Sequence, residues 1–473
     1  MSQTDKRLKQ NKKAEQNDIY DQSFLLQDTI SPKEANREVL KLAAPALAEN
    51  VMMSLIGMAD MIMVGRIGSA AIAAVGLSNQ PMMFSMALFM ALNVGTTAVV
   101  ARHIGATEYK EANETARQTL VLVGLMGIIT SAILFFFAEE ILLFMGAEQD
   151  TMAHAMGYFR IVSISMIFNT IQMSVNSMVR GAGDTKSPMA NNMVVNIVNL
   201  VGNFVLINGI WFFPRLGVTG AGLATAFSRL VGAVLALTLV LVPGKRITVS
   251  FKERFRFNWD IAARVTRVGI PSAIEQFVMR AGMMFFTRTV SGLGTVTYAA
   301  HQVGLNITSL SFTTGMGFAM AATSLVGRSL GAKKPDHAEV LANSAHKLAM
   351  MISGVVAFFL FFFGKQVSLL YSNEIEVLTQ AAIALRIIAL VQPAQSTQFV
   401  LAGALRGAGD TKWPLYSTII GVWGFRVLLS YILVQKMGFG LIGAWIAMAI
   451  DQVARSSIIL YRFKTGKWKE TKI

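Results

Sequence analysis

The sequence predicts an all-α polytopic membrane protein. It has twelve transmembrane helices in two six-helix lobes, related by a pseudo-two-fold axis along the membrane normal. Three observations carry this reading. Of 473 residues, 53% are hydrophobic and only 15% are charged, whereas a soluble protein needs roughly 25% charged residues to cover its surface. Twelve apolar segments are each long enough to cross a bilayer, which takes about 20 helical residues. A seven-residue string recurs at a fixed offset with many other matches in register, so the chain is built as a repeat.

The twelve segments run near 38–64, 77–101, 118–138, 152–178, 188–210, 217–242, 262–290, 299–326, 344–364, 379–404, 414–435 and 438–462. No water reaches backbone groups in the bilayer core, so a spanning segment is a helix or a strand of a closed barrel. The apolar runs lack period-two alternation, which selects helices. The basic residues then orient them. With the N-terminus taken as cytoplasmic, 31 of the 42 Lys and Arg fall on the cytoplasmic side. Four, Arg66, Arg215, Lys365 and Lys436, fall on the other. This is the positive-inside pattern, and an even number of spans puts both termini in the cytoplasm. Residues 1–37 are a polar cytoplasmic tail without an apolar h-region, so no cleaved signal peptide is expected. Residues 463–473 are a second cytoplasmic tail.

Several function classes are unsupported. The net charge of +15 records orientation more than affinity, so membrane lipid is expected as a partner and nucleic acid is not. The chain has no cysteine, which removes a disulfide framework, a thiolate zinc site and a cysteine nucleophile. Its five histidines are scattered without metal-ligand spacing. No GxxxxGK[ST] loop or HExxH string is present and no nucleophile–base pair or metal cluster stands out, so neither an ATP-driven pump nor a membrane-embedded enzyme is indicated.

The repeat organises the chain. RGAGDTK occupies Arg180–Lys186 and again Arg406–Lys412, an offset of 226. The same offset pairs Pro45 with Pro271, Glu49 with Glu275, Gly68 with Gly294, Arg102 with Arg328, Arg160 with Arg386 and Pro188 with Pro414. Six spans per half is even, so both halves enter the membrane in one orientation. Such repeats mark transporters that bind substrate between the halves and move one against the other. The reading therefore divides the chain into an N-lobe (38–242), a cytoplasmic inter-lobe loop (243–261) and a C-lobe (262–462). Within the two RGAGDTK strings, Arg180, Asp184, Arg406 and Asp410 are expected to fix the inner helix turns, with the glycines permitting tight geometry.

At this point the residues resemble the MATE (multidrug and toxic compound extrusion) transporters. ADMIMVGRIG at 59–68 is similar to that family's V-D-T-x-x-V-G-R-L-G, RGAGDTK to its R-G-x-G-D, and AAHQVGLNI at 299–307 to a common pattern opening the eighth span. The resemblance covers about residues 38–462. It implies two lobes around a central cavity and export of small organic cations and other amphipathic drugs. It also implies antiport with H⁺ or Na⁺, with no cofactor beyond the coupling ion. The expected setting is a monomer in the bacterial inner membrane.

Acids inside a bilayer cost at least about 2.5–3.5 kcal/mol and are usually functional. Glu49 and Asp60 lie in the first span and Glu275 in the seventh. Eleven residues are within about 20° of three full turns, so Glu49, Met53 and Asp60 share one stripe, which should face the cavity. The fifth span answers with Asn192, Asn196, Asn199 and Asn203 at i, i+4, i+7 and i+11. Their carbonyls can share a cation with Asp60 or hydrogen-bond its protonated form. The alternative is that they only glue helices together. Gln172 and Asn176 of the fourth span are weaker additions. The resemblance assigns the N-lobe ion site to Asp60, Asn199 and Asn203, where Na⁺ is one option. The family often has Asp where this chain has Asn203, so a single carboxylate that protonates is the simpler proposal. The repeat places Phe286 opposite Asp60, and Thr418, Val422, Phe425 and Leu429 opposite the asparagines. The C-lobe keeps Glu275, a coupling residue in many members, but its tenth span has no acid. The methionines around Met53 suit a site that accepts several shapes. A second reading is a flippase of lipid-linked precursors on a related two-lobe fold. The buried acids argue against it, while Arg280 and Arg288 favour it.

Overall fold

A computed structural model describes residues 29–65, 69–145, 149–210, 213–242, 247–250, 256–371 and 374–471. Most of the N-terminal tail, Arg66 and much of the inter-lobe loop lie outside the described residues. Among the described residues the regular elements are helices. They are α1 (Pro32–Gly65), α2 (Ser69–Gly105), α3 (Tyr109–Phe136), the short α4 (Ala138–Phe144), α5 (Gln149–Gly181), α6 (Lys186–Asn208) and α7 (Gly217–Leu241). There follow α8 (Trp259–Ser291), α9 (Thr295–Gly331), α10 (Pro335–Ser368), α11 (Ile375–Leu390), α12 (Gln392–Gly407), α13 (Lys412–Thr418) and α14 (Gly440–Lys464). Helix α13 continues as π-helix over Ile419–Leu429 and Ile432–Lys436.

Each of the twelve predicted spans coincides with one of these helices or, for the tenth, with the pair α11 and α12. Among the described residues seven are long and apolar enough to cross a membrane on composition alone, and the α11–α12 pair makes an eighth. The other four predicted spans correspond to α1, α5, α8 and α14. These carry Glu49, Gln172, Glu275 and Asp451, and polar groups of that kind lower the hydropathy of a helix that faces a protein interior.

The repeat is reproduced in the helix ends. Gly65 and Ser291, Ser69 and Thr295, Gly105 and Gly331, Tyr109 and Pro335, and Gly181 and Gly407 end or begin equivalent helices, each pair one repeat offset apart. Contacts divide the described residues into two units, one within 48–266, the other within 29–47 and 267–471. The first half of α1 therefore belongs with the second unit, where Leu47 packs on Gly317. A Cβ there would lie 2.5 Å from Leu47.

Within each unit one helix is central and its neighbour peripheral. The apolar window of α2 is 56% buried and that of its equivalent α9 is 65%, against 28% for α3 and 22% for α10. Leu125, Ile128, Ile129 and Ile133 of α3 are left exposed, as are Phe358, Phe359, Phe362 and Phe363 of α10. Apolar ridges of this kind need lipid beside them.

The turns follow from local chemistry. Ser31 and Glu34 form a reciprocal capping box at the start of α1. At the end of α5, Gly183 takes φ +90°, its N–H donates to the Arg180 carbonyl, and Asp184 N–H donates to Val179. Gly409 repeats this at φ +86° after α12. Both are Schellman endings, in which a left-handed residue closes the last carbonyls. The difference lies in the fourth and tenth spans. Helix α5 is continuous, but its equivalent is broken at Val391 into α11 and α12, bent by 54°. Pro393 explains the break: it has no N–H to give, and its ring clashes with the carbonyl four residues back.

Candidate functional site

In the first unit the polar side chains converge on Glu49. It is buried on α1, and Arg180 Nη2 at the end of α5 stands 2.5 Å from its Oε1. Asn192 Nδ2 of α6 donates to the same oxygen at 2.5 Å. The Asn192 carbonyl oxygen in turn accepts from Gln172 Nε2 at 2.7 Å and Asn176 Nδ2 at 3.2 Å. Asn191 Nδ2 reaches Asn176 Oδ1 at 3.4 Å and the Gly232 carbonyl of α7 at 3.2 Å. Gly232 leaves room for the amide, since a Cβ would lie 2.4 Å from Gln172 Oε1. The network thus crosses α1, α5, α6 and α7. Interhelical hydrogen bonds of this kind fix helix positions in an apolar medium.

A second cluster lies further along α6. Asn203 Nδ2 donates to Asn199 Oδ1 at 3.2 Å, and Asn199 Nδ2 to Thr225 Oγ1 of α7 at 3.3 Å. Asn203 is buried, Asn196 is half-buried and Met53 is exposed. Asp60 lies on α1, but its side chain falls outside the described residues, as do those of Met58 and Met61. Among the described residues no group of three His, Asp or Glu could hold a metal ion.

In the second unit, Glu275 of α8 is 1% exposed and faces Arg406 Nη2 at 2.6 Å. Thr418 Oγ1 donates to the same Oε1 at 3.3 Å. Arg406 and Thr418 are the repeat equivalents of Arg180 and Asn192, so the pairing itself is duplicated. The arginines of RGAGDTK therefore reach the intramembrane glutamates as well as standing at the turns. The aspartates diverge. Asp184 caps α6, accepting the N–H of Lys186 and of Ser187 at 3.0 Å each. Asp410 accepts from Arg462 Nε of α14 at 2.6 Å, and that guanidinium stacks over Trp413 at 5.3 Å.

Opposite Asp60 the second unit has Phe286, fully buried in an apolar cluster with Val290, Ala300 and Trp445. His301 meets its ring at 5.6 Å and Arg426 lies over it at 5.9 Å. Arg426 pairs with Asp451 at 2.6 Å, and Arg455 pairs with the same aspartate at 2.8 Å. All three are buried. Two guanidiniums thus share one carboxylate, and Gly421 makes room for them. A Cβ there would lie 2.3 Å from Arg455 Cγ and 2.4 Å from Asp451 Oδ1. Nothing in the sequence reading singles out Arg455. Its signal is the i,i+4 spacing from Asp451. The Glu–Arg pairs were detectable too, because both members recur at the repeat offset.

The MatE family model matches residues 45–205 and again 271–432, one match per half. Among the relatives, the probable multidrug resistance protein NorM of Thermotoga maritima is 32% identical over 437 residues, covering 92% of this chain and 94% of that protein. The multidrug resistance protein PmpM of Pseudomonas aeruginosa is 27% identical over 399 residues, covering 84% of this chain and 83% of that one. Among solved structures, the outward-facing conformation of a multidrug resistance MATE family transporter of the MOP superfamily superposes with TM-score 0.86 at 26% identity. It covers 93% of this chain and 98% of that chain.

Proposed function

The chain belongs to the MatE family, and from that premise we propose that it is a secondary active multidrug efflux transporter. In this reading it exports small organic cations and other amphipathic drugs by alternating access, in antiport with H⁺ or Na⁺, coupled mainly through Asp60. It is a multi-pass membrane transporter and not an enzyme. We place it in the bacterial inner membrane as a monomer with both termini cytoplasmic, its N-lobe at 38–242 and its C-lobe at 262–462.

The observation that supports Asp60 is the pairing of the other acids deep in the spans. Glu49 is held by Arg180, Glu275 by Arg406, and Asp451 by Arg426 and Arg455. A buried carboxylate in contact with a guanidinium is already neutralised, and separating the two is costly. The coupling group has to gain and lose its counter-charge in every cycle. In this reading Asp60 is the acid left for that role, and Asn199 and Asn203 supply amides to share a cation or hydrogen-bond the protonated acid. Arg406 and Thr418 then make Glu275 an auxiliary group.

The test is transport of a cationic dye in proteoliposomes, driven separately by a proton and a sodium gradient. Asp60→Asn should abolish coupled efflux at normal expression. Unchanged efflux in that variant sinks the reading. The buried Arg426–Asp451–Arg455 group favours the second reading, since surplus positive charge suits an anionic lipid-linked cargo. Transport of such a lipid, with no dye transport under either gradient, decides for it.

A further inference from the structure

The break in the tenth span has a polar interior. Val391 ends α11, Pro393 follows the start of α12, and the two helices bend by 54°. Beside the break is a cavity of about 10 Å³, lined by Ser311 and Thr314 of α9, Ser353 of α10, and Gln392, Gln395 and Ser396 of α12. Gln392, Gln395 and Ser396 are 0%, 2% and 5% exposed. Some of their capacity is used inside the unit. Ser311 Oγ donates to Gln392 Oε1, and Ser353 Oγ donates to the Gln392 carbonyl at 2.8 Å. Gln392 Nε2, both polar atoms of the Gln395 amide and Ser396 Oγ have no protein partner.

Size and chemistry point to one ligand. About 10 Å³ is the space of one water-sized sphere, and a buried water requires two to four polar partners. The unpartnered atoms include amide N–H donors, an amide oxygen and a hydroxyl, which together offer what a molecule that both donates and accepts can use. No carboxylate lines the cavity, so a bare cation would meet N–H donors and no counter-charge. The unbroken helix α5 has Met166, Asn169 and Thr170 at the equivalent positions.

We propose that the second unit binds a single structural water at the break in its tenth span, held by Gln392, Gln395 and Ser396, and that this water supports the bend between α11 and α12 within the membrane. A crystal structure of the full chain at a resolution that shows ordered water tests it directly. The expected result is one density peak within hydrogen-bond distance of Gln395 and Ser396. A cavity closed by Phe399, or a peak that appears only with sodium and contacts oxygens alone, overturns the proposal. Radiolytic hydroxyl-radical labelling read by mass spectrometry needs no crystal. Phe399, which lines the cavity, should be labelled in the wild type and lose that labelling in Gln395→Leu. Equal labelling in both proteins counts against the site.

Discussion

The two units share a glutamate–arginine pair and differ in nearly everything around it. In the first, Glu49 and Arg180 open onto a chain of amides that runs through Asn192, Gln172, Asn176 and Asn191 to the backbone of α7. In the second, Glu275 and Arg406 have Thr418. Buried Phe286 stands at the repeat position of Asp60. The second unit keeps its other charges in a compact Arg426–Asp451–Arg455 group. The lesson is that the duplicated part joins helices through one ion pair, whereas the polar groups around that pair differ between the units. A fixed cluster of guanidiniums opposes any further cation.

The comparison can be broken or sharpened by substitution, with thermal unfolding in detergent as the readout. The largest effect is expected in the second unit's charge cluster. Asp451→Asn leaves two buried guanidiniums facing each other and should cost about 3–5 kcal/mol. Arg426→Met leaves the neutral Asp451–Arg455 pair beside Met283 and Phe286, and should cost less than about 1.5 kcal/mol. Equal losses would mean that the surplus charge has its own function in holding the fold. Next comes the helix break. Ile167→Pro in the continuous α5, at the position equivalent to Pro393, should cost about 3 kcal/mol, because α5 has no arrangement for the lost hydrogen bond. A tolerated proline there would show that the break is not particular to the second unit.

Third is the shared pair itself. Glu275→Gln and Glu49→Gln should each cost about 2 kcal/mol, below the full buried-pair value because each arginine keeps some exposure. Glu275 should be the more costly, being 1% exposed against 7% for Glu49. The reverse order would place the dominant fastener in the first unit. The smallest effects belong to the turns. Gly183→Ala and Gly409→Ala should each cost about 1–2 kcal/mol, since both glycines are left-handed. Thr107, at φ +61° after α2, is a β-branched residue in that same region, and Thr107→Gly should gain up to about 1 kcal/mol. A loss there would show that the threonine side chain contributes more than its backbone conformation costs.

Much of this was legible in the chain and some was not, for identifiable reasons. The spans are readable because lipid demands long apolar helices. The helix ends repeat at the sequence offset because identical turn residues, Gly183 and Gly409, close them in the same way. The asparagine stripe on α6 could be seen as polar, with Asn199 and Asn203 assigned to the ion site and Asn192 and Asn196 to the cavity lining. The partners were not legible: Asn192 donates to Glu49 and Asn199 to Thr225. Helical periodicity gives the face of a residue and not the helix that comes to meet it. Likewise Pro393 could be seen in the tenth span, yet the polar pocket beside it draws on α9 and α10, which are distant in sequence.

The sequence by itself determined the class, the twelve spans, the duplication and which acids lie in the membrane. These rest on composition, periodicity and identity, which are properties of the chain alone. Only the tertiary structure decided which partner each charge has. Arg180 could have served the turn alone, and Arg455 could have faced lipid headgroups. Packing of α5 against α1, and of α14 against the π-helical part of the eleventh span, brought them to Glu49 and Asp451 instead. A desolvated charge takes the counter-charge that close packing brings within reach, and that choice is made between helices, not along them.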